Sequence, residues 1–98
     1  MLTKDMIMQE LDRLETLRQV YENVYISWDN EAEAIQAAIH DDEAMLIAGC
    51  NNNNITHRLD KEYAILENYM NIIHEYGDKI AALDRKIELL TKLADEYE

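Results

Sequence analysis

The segment Gly49-Cys50-Asn51-Asn52-Asn53-Asn54 separates two apolar repeats of seven residues, and it decides the fold that the sequence predicts. Glycine adopts the left-handed conformation that ends many helices, and asparagine tolerates turn geometry. The chain has no Pro and only two Gly, which favours long helices. We therefore predict an all-α protein, a long antiparallel, coiled-coil-like helical hairpin with its turn at residues 49–54.

Both repeats alternate steps of three and four residues, which places their members on one side of a helix. The first arm carries two interleaved series, Ile7, Leu14, Tyr21, Trp28 and Ile35, and Leu11, Arg18, Tyr25, Ala32, Ile39 and Leu46. The second arm carries Leu59, Leu66, Ile73, Ile80, Ile87 and Ala94, with the companions Tyr63, Met70, Gly77, Asp84 and Thr91. We predict one domain over residues 1–98, with helices at about 3–48 and 55–97, each roughly 65 Å long at the helical rise.

The stretch from Val24 to Asn30 leaves an alternative open. It is rich in β-branched and aromatic residues, and Asn30 with Glu33 fits a capping box at the start of a new helix. A break near residues 28–30 would give a three-helix protein.

The pattern also predicts a register. If the turn centres near residue 51, Arg18 faces Asp84, and the large Tyr25 faces Gly77, which has no side chain. An interior ion pair usually adds little stability but can fix an alignment. Our hypothesis is that Arg18 and Asp84 fix this one.

A second apolar stripe lies beside the predicted core. Its members are Tyr69, Tyr76, Leu83 and Leu90 in the second arm, and Leu17 and Val24 in the first. A lone hairpin would leave this stripe in water, which is unfavourable. We therefore predict a homodimer that stacks two hairpins into a four-helix bundle. That architecture resembles the small plasmid-encoded RNA-regulator hairpin dimers, although no motif is shared. Alternatively, the stripe receives a helix of another protein.

The formal net charge is −12, and no Lys or Arg occurs between Arg18 and Arg58. The acidic residues of that stretch are candidates for a partner-binding face, namely Glu22, Asp29, Glu31, Glu33, Asp41, Asp42 and Glu43.

The net charge also bears on the kind of partner. Phosphate backbones repel so acidic a chain, and we therefore expect no direct nucleic-acid binding. We expect a protein partner with a basic surface. The composition is similar to that of small acidic phage-encoded inhibitors that occupy nucleic-acid-binding surfaces of host or defence proteins. The alternative is a structural adaptor or assembly chaperone that acts through the apolar stripe.

The sequence offers little for catalysis. Cys50 is the single thiol and follows a predicted helix C-terminus, where the helix dipole opposes a thiolate. The chain contains no Glu-x-x-His, Cys-x-x-Cys or Gly-rich phosphate motif. We expect no enzyme, no metal and no cofactor. The single cysteine and the lack of a long apolar run predict a cytoplasmic protein without a membrane segment.

Overall fold

The computed structural model describes residues 1–49 and 53–97 and contains two helices, α1 (Lys4–Ile47) and α2 (Asn53–Asp95). The prediction of an all-α helical hairpin is confirmed. Helix α1 runs without a break through residues 28–30, so the three-helix alternative is wrong. The apolar series crosses that stretch in phase, and packing along the series outweighs the weaker local preferences of its residues.

Side-chain and backbone caps define the start of α1. The Thr3 hydroxyl oxygen accepts a hydrogen bond from the Met6 amide at 3.2 Å, and the Thr3 carbonyl accepts one from the Ile7 amide at 3.1 Å. Asp5 in the first turn adds a negative charge where the helix dipole favours it. These contacts satisfy amide groups that would otherwise lack partners at the helix start.

Gly49 ends the first arm as the sequence predicts. Its φ of 93° is left-handed, and its amide donates to the Leu46 carbonyl at 3.1 Å. Helix α2 begins at Asn53, two residues before the expected position, so Asn54 is helical rather than part of the turn. The remaining residues of the predicted turn, 50–52, lie outside the described residues, and Cys50 is among them.

The contacts within the chain divide into two compact units. The terminal unit comprises Met1–Tyr25 and Glu75–Glu98, and the turn unit comprises Ile26–His74. Each unit contains one segment of α1 and one segment of α2. That the whole chain is one domain stays a prediction.

The terminal unit has an apolar core near the chain ends. Ile7, Leu11 and Ala94 are buried together, and the half-buried side chains packed on them are Ile87, Leu90 and Leu93. The rings of Tyr21 and Tyr76 meet edge to face, with centroids 5.7 Å apart. These contacts join the two helices in antiparallel order within this unit.

The turn unit has its own core. Ile39, Ile55 and Leu59 are buried together, and the half-buried side chains packed on them are Ile35, Leu46 and Leu66. The ring centroids of Trp28 and Tyr69 lie 5.1 Å apart. Within this unit too, residues near the end of α1 pack on residues near the start of α2.

Four residues predicted to form an oligomer interface also pack within the hairpin. Leu83 is buried, and Leu90 packs on the core of the terminal unit. Tyr69 and Tyr76 contact aromatic rings of α1. Leu83 is thus covered by the hairpin itself, whereas Tyr69, Tyr76 and Leu90 are only half-buried. The assignment of this stripe to an oligomer interface stays a prediction.

Two of the companions predicted for the core of α2 lie on the surface. Tyr63 is 46% exposed and Met70 is 47% exposed. Positions 59, 62, 66 and 69 and positions 59, 63, 66 and 70 both alternate steps of three and four, so spacing alone admits either side of the helix. Further along α2 the series of Glu62 continues with Tyr76, Leu83 and Leu90, whereas the series of Tyr63 continues with Gly77, Asp84 and Thr91. The first series is the more apolar over the whole helix, and burial of apolar surface drives the packing.

The first-arm members of the predicted interface, Leu17 and Val24, are half-buried. They flank the packed side of α1, and their outer surfaces stay accessible. Homodimerisation itself stays a prediction.

Candidate functional site

The turn unit carries most of the excess negative charge. It has nine acidic and two basic residues, against twelve and seven in the terminal unit. Five of the seven acidic residues named from the sequence are exposed there, namely Asp29, Glu31, Glu33, Asp41 and Glu43. The turn unit is therefore where the structure places the candidate acidic surface.

Glu22 does not belong to this surface. It lies in the terminal unit, is half-buried, and accepts a hydrogen bond from Arg18 Nη1 at 2.9 Å. Its charge is partly offset by that guanidinium.

Asp42 is not on the surface at all. It is buried, and both of its carboxylate oxygens accept hydrogen bonds from Arg58, at 2.6 Å from Nη2 and 2.8 Å from Nε. These bonds, with a further contribution from Glu62, lower the pKa of Asp42 to about 2. The expectation that Asp42 contributes to an exposed acidic face is wrong, because residue 42 lies seven positions after Ile35 and so continues the packed series of α1.

The five exposed acidic residues do not share one face. Glu33 follows Asp29 by four residues and Glu43 follows it by fourteen, which places these three on one side of α1. Glu31 and Asp41 project from other parts of the helix circumference by the same spacing. The acidic face is therefore narrower than the sequence suggested.

An exposed aromatic side chain of α2, Tyr63, lies next to this acidic side. The pKa of Tyr63 is raised, first by partial desolvation and then by the nearby Glu43 carboxylate. The Tyr63 hydroxyl therefore lies close to Glu43. Met70 follows Tyr63 by seven residues and lies on the same side of α2. We call these residues the Tyr63 surface, defined as Asp29, Glu33, Glu43, Tyr63 and Met70.

The residues expected to set the register meet in the terminal unit. Arg18 Nε donates to Asp84 Oδ1 at 2.5 Å, while its Nη1 binds Glu22. The pair lies at the surface rather than in the interior, with 35% of the Arg18 and 50% of the Asp84 side chain exposed. Its role in setting the register stays a hypothesis.

A shallow cleft adjoins this ion pair. It has a volume of about 260 Å³ and is lined by Arg18, Glu22, Tyr25, Gly77 and Ile80. A Cβ on Gly77 would lie 3.6 Å from Cε2 of Tyr25, which is an ordinary van der Waals contact. The ring of Tyr25 therefore faces Gly77 without requiring a glycine there.

Arg58 and Glu62 are site residues that the sequence pattern did not predict. Glu62 is buried opposite Asp42, and Arg58 Nε lies 3.9 Å from Glu62 Oε1. A signal for them existed: Glu62 lies seven residues before Tyr69, and Arg58 lies one helical turn before Glu62. Both acidic residues occupy core positions of the repeat, where a charge calls for a partner.

The chain matches no family model, and neither curated proteins nor solved structures show a significant similarity to it. Across residues 1–49 and 53–97, no cluster of three or more His, Cys, Asp or Glu side chains has the arrangement of a metal site. In the same part of the chain, neither helix has an apolar stretch long enough to span a membrane.

Proposed function

We propose that the protein is a non-enzymatic binding module that docks on a basic surface of another protein through the Tyr63 surface of its turn unit. The observation that carries the proposal is the uncompensated charge of α1 in this unit. Within the described chain, Asp29 and Glu33 are exposed and form no ion pair or hydrogen bond through their side chains. Carboxylates without internal partners attract cationic side chains of a partner and speed its approach.

Tyr63 and Met70 add apolar contact area, which the carboxylates alone do not provide. Tyrosine and methionine are enriched in protein interfaces, where they bury large side-chain areas and few polar groups. Here each is nearly half exposed, and Tyr63 lies beside the Glu43 carboxylate. A partner that presents basic residues around an apolar patch satisfies both features, and a groove that normally holds nucleic acid has this character. Occupation of such a groove would make the protein an inhibitor.

The adaptor alternative relies on the apolar stripe, in which Leu83 is buried within the hairpin and Tyr76 is half-buried against Tyr21. We favour docking through the Tyr63 surface because its residues are all exposed. Exposed apolar residues of the terminal unit, such as Val20 and Leu89, are further candidates for a homodimer contact beside Leu17 and Val24.

The test is capture of proteins from a lysate of the native host on the immobilised protein, at low and at molar salt. The turn-unit variant Asp29→Asn/Glu33→Gln/Glu43→Gln is compared with the terminal-unit variant Asp12→Asn/Glu15→Gln/Glu96→Gln, which removes the same charge from exposed residues. We expect a basic protein to be captured by the wild type and by the terminal-unit variant at low salt. The turn-unit variant should lose it, and molar salt should release it.

Two results would refute the proposal. One is capture that survives molar salt unchanged, which would show that the carboxylates are not the main contact. The other is equal loss in both triple variants, which would show a response to net charge rather than to the Tyr63 surface. A Tyr63→Ser/Met70→Ser variant then measures the apolar contribution separately.

A further inference from the structure

Two carboxyl groups face each other inside the turn unit. Only 9% of the Asp42 side chain and 10% of the Glu62 side chain is exposed. They come from opposite helices and occupy packed positions next to the core of Ile39 and Leu59. A pair of ionised carboxylates in such a place is unfavourable, because neither is well solvated and their charges repel.

One guanidinium serves both groups unequally. Arg58 donates two hydrogen bonds to Asp42, in the bidentate arrangement that binds a carboxylate most strongly. The distance from Arg58 Nε to Glu62 Oε1 is 3.9 Å, which is too long for a hydrogen bond. Asp42 is therefore held as the ionised partner, and Glu62 is left with a weak, distant attraction.

The Glu62 oxygens have no other source of stabilisation in the described chain. Both are inaccessible to solvent, and no donor from the described residues forms a hydrogen bond with either. Two carboxylates can only accept, so the contact between them becomes a hydrogen bond once one carries a proton. A proton on Glu62 supplies a donor to Asp42 and removes the buried charge.

We propose that Asp42 and Glu62 share one proton, carried by Glu62, and that this pair makes the packing of the turn unit sensitive to pH. The charged groups that act on Glu62 are Asp42 from α1 and Arg58 from its own helix. Contact with Asp42, then burial, then the charge of Asp42 raise the pKa of Glu62 above its usual 4.5, and the charge of Arg58 opposes them. Arg58 in turn keeps Asp42 ionised.

The raised pKa of Glu62 determines the direction in which pH changes the stability of the turn unit. A carboxyl group whose pKa is raised by folding stabilises the fold fully below its unfolded pKa and loses that contribution as pH rises through its folded pKa. The turn unit should therefore loosen as Glu62 ionises. The terminal unit has its own core and should not respond.

The experiment is an NMR titration of the Glu62 side-chain carboxyl carbon in the wild-type protein, combined with amide hydrogen exchange. We expect a midpoint above 4.5. Between the pKa of Glu62 in the opened state and its pKa in the folded state, the folded side chain is protonated and the opened one is ionised. Over that interval, protection factors at Ile39 and Leu59 should fall by about tenfold for each pH unit. Protection at Leu14 and Leu83, in the terminal unit, should stay constant.

Glu62→Gln tests the same point by substitution, because its amide donates to Asp42 at every pH. This variant should lose the pH dependence at Ile39 and Leu59, whereas Glu67→Gln, an exposed control on the same helix, should retain it. A midpoint for Glu62 at or below 4.5 would overturn the proposal, as would equal behaviour of the two variants. The wild-type titration decides the question even if Glu62→Gln does not fold.

Discussion

Tyr25 and Gly77 face each other across the helices of the terminal unit with room for one more carbon atom between them. A Cβ on Gly77 would lie 3.6 Å from Cε2 of the Tyr25 ring. Gly77→Ala should therefore raise the free energy of unfolding by about 1 kcal/mol, because alanine is the better helix former. Urea denaturation at neutral pH measures the change.

The matched control is the reverse substitution at a neighbouring exposed site. Ala81→Gly should lower the free energy of unfolding by about 1 kcal/mol. If Gly77→Ala also lowered it, Tyr25 would be packed more closely on Gly77 than the structure shows.

A second prediction concerns which side of α2 is packed. Leu83→Ala should cost about 2–5 kcal/mol of unfolding free energy, because it leaves a cavity in a buried position. Met70→Ala should change it by no more than about 0.5 kcal/mol, because Met70 is half exposed. Denaturation of the two variants side by side makes the measurement. Similar costs for both would mean that Met70 is covered in solution.

The ion pair between Arg18 and Asp84 allows a test of register. Arg18→Asp places acidic groups on both sides of the helix contact and also next to Glu22, so it should weaken the terminal unit. Exchanging the two charges should restore part of the loss, because the new acidic residue still repels Glu22. The reporter is the nuclear Overhauser effect between the rings of Tyr21 and Tyr76, whose centroids lie 5.7 Å apart.

Two outcomes of the Arg18→Asp experiment decide the register hypothesis. Loss of the ring contact in Arg18→Asp and its return on charge exchange would support the register hypothesis. An unchanged ring contact and unfolding midpoint in Arg18→Asp would show that the pair is only a surface interaction, as exposed ion pairs often are.

The acid side of the stability profile tests Asp42. Its pKa is lowered from the usual 3.8 to about 2, so its contribution is present above pH 3.8 and is lost as pH falls towards 2. Asp42→Asn should flatten the fall in unfolding free energy over that interval, and the exposed neighbour substitution Asp41→Asn should leave the slope in place. Denaturant midpoints between pH 2 and pH 5 give the comparison. An equal slope in Asp42→Asn and the wild type would contradict the Arg58 contact.

The repeats were sufficient to predict the hairpin and the left-handed Gly49, because helix period and helix termination depend on local residue types. They did not decide which companions of Leu59 pack inwards. Tyr63 and Tyr69 are both apolar enough for a core, and the spacing allowed the series through Tyr69 to be interpreted as a second stripe beside the core. Tertiary burial, summed over the whole helix, settled a question that local spacing leaves open.

The acidic surface was only partly predictable for a related reason. Sequence charge gives the number of carboxylates but not their neutralisation across helices. Asp42 forms an ion pair with Arg58, sixteen residues away, whereas Asp29 and Glu33 form none in the described chain. The difference depends on which side of α1 each residue occupies, and that requires the packed side to be known.

The buried carboxyl pair also bears on how the hairpin avoids slippage. An apolar series such as Leu59, Leu66 and Ile73 repeats every seven residues, so shifting one arm by seven residues would still match leucine with isoleucine. The same shift would move Asp42 from Glu62 to Ile55 or Tyr69 and leave a buried charge without its guanidinium, which is strongly unfavourable. Two acidic residues that weaken the turn unit as a core thus disfavour an alignment shifted by one repeat.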